Sequence, residues 1–131
     1  MKKIIYALMV FILFISSPII FGDHDIDIEN FTCYQVGSTV HADLEADAWW
    51  SGQGGKITME AELQKGQDSW ENMWVVDSDG DEDENEFTYG ELAGNFFLSA
   101  TYDSNYDWRA YGMVEVSYGG GYEKWSDYDY L

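Results

Sequence analysis

Past Pro18 the chain contains no proline, and its 131 residues hold one cysteine and two histidines. A single cysteine, Cys33, excludes an internal disulfide, which leaves it as a small buried hydrophobe or as one half of a bridge between chains. No small-residue lipobox precedes it, because Phe31 and Thr32 stand there. Basic residues are scarce as well, six Lys and Arg against 25 Asp and Glu, for a formal charge of −19. Such a balance excludes nucleic acid and anionic polymers as partners, and favours cations and basic proteins. The same charge also serves plain solubility or a salty medium. No stretch carries a helical period, so a helical domain is excluded too.

The N-terminus is built differently from the rest. Met1-Lys2-Lys3 is followed by an apolar run from Ile4 to Ile15, then Ser16-Ser17-Pro18, and Ile19 to Gly22 before the first acid, Asp23. A charged start, an apolar middle and a small residue at the end describe a signal peptide over residues 1–22. Cleavage is expected after Gly22, with Ser17 as the alternative. An uncleaved anchor would need the apolar run that Ser16, Ser17 and Pro18 interrupt. Removing 22 residues from 131 leaves 109 and takes away two lysines and no acid, so the charge of residues 23–131 is −21. That length suits one domain. The expectation is a secreted protein of a Gram-positive-type cell, with no membrane attachment after cleavage. Asn30-Phe31-Thr32 matches a glycosylation sequon, which carries no weight in a bacterial export context.

Glycine and Asx clusters punctuate residues 23–131 at short intervals, as hairpin turns do. Val40, Ala42, Leu44, Ala46 and Ala48 alternate with His41, Asp43, Glu45 and Asp47, a period of two that specifies a half-buried strand. Ile57, Met59, Ala61 and Leu63 repeat the pattern against Thr58, Glu60, Glu62 and Gln64. Further strands are expected at Phe31–Val36, Trp70–Val76, Phe87–Leu92, Phe96–Tyr102 and Trp108–Tyr118. The tail from Tyr122 to Leu131 is expected as an edge strand or a mobile end. Seven amphipathic strands predict an all-β fold: a single small antiparallel β-sandwich, Ig-like, with a small β-barrel as the alternative.

The run Gly54-Gly55-Lys56-Ile57-Thr58-Met59-Glu60-Ala61-Glu62-Leu63-Gln64-Lys65, then Ser69-Trp70, then Gly94-Asn95-Phe96-Phe97-Leu98-Ser99-Ala100-Thr101, resembles small exported β-sandwich proteins of Bacillus-like Gram-positive bacteria. The resemblance spans about half of residues 23–131. It implies the fold and no activity, and the chain departs from it in the number of its acids.

Two features point to ligands. Asp77-Ser78-Asp79-Gly80-Asp81-Glu82-Asp83-Glu84-Asn85-Glu86 reads as an acidic loop after the third strand. Its alternating carboxylates, Asp77, Asp79, Asp81 and Asp83, with Glu86, form a candidate site for calcium, which takes six to eight oxygens. The start of an EF-hand loop is matched, but Glu82 stands where glycine makes the bend and Thr88 where a bidentate glutamate closes the site. A weak extracellular site of ~10⁻⁴ to 10⁻³ M is the most such a loop supports. The alternative is a solvated, self-repelling loop.

The second feature is aromatic excess, 19 rings in residues 23–131 once Tyr6, Phe11, Phe14 and Phe21 are set aside. Adjacent pairs such as Trp49-Trp50 must send one ring to each face of a strand. Trp49, Trp50, Tyr106, Tyr111, Trp125 and Tyr128 are therefore candidates for a ligand surface that stacks on glycan or holds basic side chains. The competing reading puts these rings inside the sheets.

Catalysis has little to work with. His24 lies beside the cleavage site and is expected to fray, and His41 falls on a polar strand face. Glu60 and Glu62 share a face, as acid–base pairs do, but 25 acids make such pairs unavoidable. The functional expectation is a secreted, non-catalytic binding domain for a cation, glycan or basic protein, with no cofactor beyond weakly held calcium. A bacteriocin-like, inhibitor or immunity protein acting on a basic partner is the alternative. An extracellular matrix component is the third.

Overall fold

The structure, a computed structural model, describes residues 22–131, so the expected leader up to Phe21 lies outside the described residues. Seven strands follow: β1 (Asp23–Val36), β2 (Thr39–Ser51), β3 (Gly55–Gly66), β4 (Trp74–Asn85), β5 (Tyr89–Thr101), β6 (Asp107–Tyr118) and β7 (Gly121–Tyr130). A 3₁₀ turn, Trp70–Asn72, joins β3 to β4, and Ser69 caps it by accepting from Glu71 N at 3.1 Å.

All strand pairs are antiparallel. They form a three-stranded sheet in the order β1-β2-β5 and a four-stranded sheet in the order β4-β3-β6-β7. The sheets face each other without closing into a barrel, which makes the fold the antiparallel sandwich that the alternation predicts. The constant-type immunoglobulin arrangement places the fourth strand beside the fifth; here β4 joins β3 instead.

Alternation decides what each sheet buries. Val40, Ala42, Leu44, Ala46, Ala48 and Trp50 of β2 point inward against Ile57, Met59, Ala61 and Leu63 of β3. Phe96 and Leu98 of β5, and Trp108, Ala110, Val114 and Val116 of β6, complete the core. Two glycines create room for rings. A Cβ on Gly90 would sit 2.4 Å from Trp50 Nε1, and one on Gly112 would sit 2.9 Å from Phe31 and 3.0 Å from Trp125. Phe31 and Trp125 meet edge-on above Gly112 at 5.2 Å, one ring from each sheet.

Three expectations are corrected, and the tail resolves to the first of its two alternatives. β1 begins at Asp23 rather than Phe31, because Asp23-His24-Asp25-Ile26-Asp27-Ile28 already alternates with a period of two. The two short strands Phe87–Leu92 and Phe96–Tyr102 are one, β5, with Gly94 inside it. The tail is strand β7, paired with β6 along its length. Most consequential, the acidic run is no loop: Asp77 to Asn85 is the body of β4, paired with β3 from Asp77↔Leu63 to Asn85↔Gly55. A polar strand survives there because β4 is a sheet edge, where charge also deters pairing with another chain.

Candidate functional site

The candidate calcium ligands are spread by that strand. Alternate residues of a strand stand ~7 Å apart, whereas calcium needs its oxygens within ~2.6 Å of one point. The carboxylates also have backbone partners. Asp77, Asp79 and Asp81 accept through Oδ1 from the N–H groups of Ser78, Gly80 and Glu82 at 2.8–3.0 Å. Asp77 Oδ2 further accepts from Ser99 N at 3.1 Å, tying the edge of one sheet to β5 of the other. Asp129 Oδ2 makes the matching tie on the opposite side, accepting from Cys33 N at 2.7 Å. Glu86 lies elsewhere, in an end concavity of about 420 Å³ that Lys56, Glu84, Asn85 and Tyr118 also line. Among the described residues no three His, Cys, Asp or Glu side chains form a group that could hold a metal ion.

The candidate aromatics divide. Trp50 is fully buried, its ring stacked near Tyr118 at 6.2 Å, so it belongs to the core and not to a ligand surface. Trp125 packs on Phe31 and is half-buried. Trp49 lies on the outer face of the three-stranded sheet, opposite Asp25 on one side and Glu91 on the other. Tyr111 and Tyr128 meet at 5.1 Å beside Arg109, while Tyr106 packs apart from them against Trp74 and Lys65.

All four Lys and Arg of residues 22–131 lie on the four-stranded sheet, and each has company. Lys56 Nζ reaches Glu82 at 2.9 Å, and Glu82 raises the ammonium's pKa above its ordinary value. Lys124 stands opposite Glu115. Lys65 Nζ lies 4.5 Å from the Tyr106 ring centroid, 5.5 Å from Trp108 and 5.9 Å from Trp74. The Arg109 guanidinium lies 4.1 Å from the Tyr128 centroid and 5.9 Å from Trp70, while its Nε donates to Gln64 Oε1 at 2.7 Å.

The outer face of the three-stranded sheet is the opposite case. Asp23, Asp25, Asp27 and Glu29 from β1, Asp43, Glu45 and Asp47 from β2, and Glu91 from β5 put eight carboxylates there with no Lys or Arg. At this spacing they repel one another. Glu45 beside Glu29 raises the Glu29 pKa, with burial, Asp27 and Asp47 adding to it. Asp47 is raised by burial first and then by Glu91, and its Oδ1 is buried with no hydrogen-bond partner among the described residues. Tyrosine hydroxyls relieve part of the charge: Tyr34 donates to Asp43 and Tyr89 to Glu91, both at 2.8 Å. Phe97 lies on the same face, 67% exposed, and Tyr34 stacks on His41 at 5.0 Å. This face is the candidate site. The alternation of acids along β2 was legible in the sequence, but its joining to the acids of β1 was not.

Two residues considered for chemistry are structural. His24 is held rather than frayed, its Nε2 at 2.8 Å from Glu123 and its Nδ1 at 3.0 Å from the Tyr118 hydroxyl. Cys33 is buried, and that burial, with Asp129 nearby, pushes its thiol pKa up to about 11, so at neutral pH it is a protonated, unreactive thiol.

No family model and no curated protein matches the chain. Among solved structures, the R. palustris protein CsgH in solution aligns with a TM-score of 0.35 and 15% identity, over 79% of this chain and 90% of that one. The E. coli curli protein CsgC aligns with a TM-score of 0.33 and 13% identity, over 81% of this chain and 97% of that one. At such scores neither neighbour assigns anything to this chain.

Proposed function

We propose that the protein is a secreted, non-catalytic binding domain that engages a basic protein partner through the outer face of its three-stranded sheet. One observation carries the reading: eight carboxylates share that face with no Lys or Arg, while all four Lys and Arg of residues 22–131 lie on the other sheet. Carboxylates that raise one another's pKa hold unrelieved repulsion, and lysine or arginine side chains from a partner would relieve it. Trp49, Tyr89 and Phe97 among the acids supply ring faces for the same cations. Face charge of this kind mainly accelerates encounter and excludes wrong partners.

The experiment is a titration with an oligo-lysine peptide, followed by amide chemical-shift changes and repeated at raised salt. Shifts are expected to concentrate on β1, β2 and β5 at Asp27, Glu45, Asp47 and Glu91, and to weaken with salt. Shifts concentrated on β4, or spread evenly over all acids, would remove the basis for this site.

A further inference from the structure

The opposite sheet ends in a second surface that the acidic face does not explain. Trp70, Tyr128 and Tyr130 are 44%, 42% and 48% exposed, and half-buried Tyr111 adjoins them. Trp70 meets Tyr130 edge-on at 4.5 Å, Tyr128 and Tyr130 lie nearly parallel at 6.5 Å, and Tyr111 stands 5.1 Å from Tyr128. The rings come from three places, the 3₁₀ turn, β6 and β7, so their meeting is a product of the fold. Arg109 sits among them without a carboxylate partner among the described residues, in a chain with 25 acids. Gln64, itself buried, holds its Nε, and Gln64 Nε2 donates to Glu62 Oε2 at 2.6 Å.

Charge decides what this surface can take. A cationic ligand would find the cation position over Tyr128 and Trp70 already filled by Arg109. A polyanion would meet a domain of formal charge −21. What remains is a neutral ligand with apolar faces and hydroxyls, which stacks on rings while its hydroxyls meet the free N–H groups of Arg109 and the carboxylates of Glu60 and Glu62. We infer that Trp70, Tyr111, Tyr128 and Tyr130, organised around Arg109, form a binding platform for a neutral polysaccharide, independent of the acidic face on the other sheet.

The test is tryptophan fluorescence and calorimetry of the protein with soluble neutral hexasaccharides: cellohexaose, chitohexaose, mannohexaose and maltohexaose. Hexalysine and polygalacturonate serve as charged probes. At least one neutral hexasaccharide is expected to bind, insensitive to salt and about fivefold or more weaker in Trp70→Ala and in Tyr128→Ala, each a loss of one stacking contact. Trp49→Ala, on the opposite face, should leave that binding unchanged, and circular dichroism of each variant separates lost binding from lost folding. Binding of no neutral hexasaccharide at millimolar concentration would overturn the inference. Binding that survives the Trp70→Ala and Tyr128→Ala changes in a folded protein, or hexalysine competing for the same site, would overturn it as well.

Discussion

On the four-stranded sheet each Lys and Arg stands beside a ring or a carboxylate: Lys65 beside three rings, Arg109 beside two rings and Gln64, Lys56 beside Glu82, and Lys124 opposite Glu115. On the three-stranded sheet eight carboxylates face outward with tyrosine hydroxyls as their nearest relief. Both sheets are acidic, and the same strand alternation builds both. They differ in their basic residues: the four-stranded sheet carries all four Lys and Arg of residues 22–131 beside 13 acids, whereas the three-stranded sheet carries none beside its eight, and on that difference the proposed site rests.

The sharpest break within one sheet is at Trp49 and Trp50. Trp50→Ala empties a fully buried site and is expected to cost ~3–5 kcal/mol, read by urea denaturation. Trp49→Ala should cost well under that and instead weaken oligo-lysine binding. Equal effects on stability would mean that the two faces are not distinct.

On the other sheet, Arg109→Ala leaves buried Gln64 without its donor and the rings without their cation. A loss of about 1–3 kcal/mol is expected by the same method. Asp47→Asn on the acidic face should act with the opposite sign, raising stability by ~0.2–1 kcal/mol. A destabilised Asp47→Asn protein would contradict the claim that this face repels itself.

Acidity should reveal the same repulsion. Glu29 and Asp47 have folded-state pKa values raised above their ordinary 4.5 and 3.8, so the folded chain binds their protons more readily than the unfolded one. Their contribution to stability is complete below those ordinary values and is lost as pH rises through the raised ones. The melting temperature followed by circular dichroism is therefore expected to be higher at pH 5 than at pH 7. The reverse order would contradict it.

Much of the fold was legible because β2 and β3 alternate strictly and turns mark their ends. The sandwich followed from that pattern. Less legible were the places where sheet context overrules composition. Asp77 to Asn85 has a loop's composition and becomes a strand because an edge tolerates carboxylates and β3 supplies its ladder. Trp49 and Trp50 were rightly sent to opposite faces, but only the structure shows that Trp50 faces the core. The candidate site is a matter of adjacency: Glu29 meets Glu45, and Asp47 meets Glu91, across pairings of β1, β2 and β5 that no local spacing encodes.

The most direct measurement compares two variants that each remove four charges, one from each sheet, in their binding of fluorescent oligo-lysine at fixed ionic strength. One carries Asp25→Asn, Asp27→Asn, Glu45→Gln and Asp47→Asn; the other carries Asp79→Asn, Asp81→Asn, Asp83→Asn and Glu84→Gln. The acidic face as binding site predicts that the first binds about tenfold or more weaker than the second. Equal weakening would show that the peptide reads net charge alone and would contradict the account.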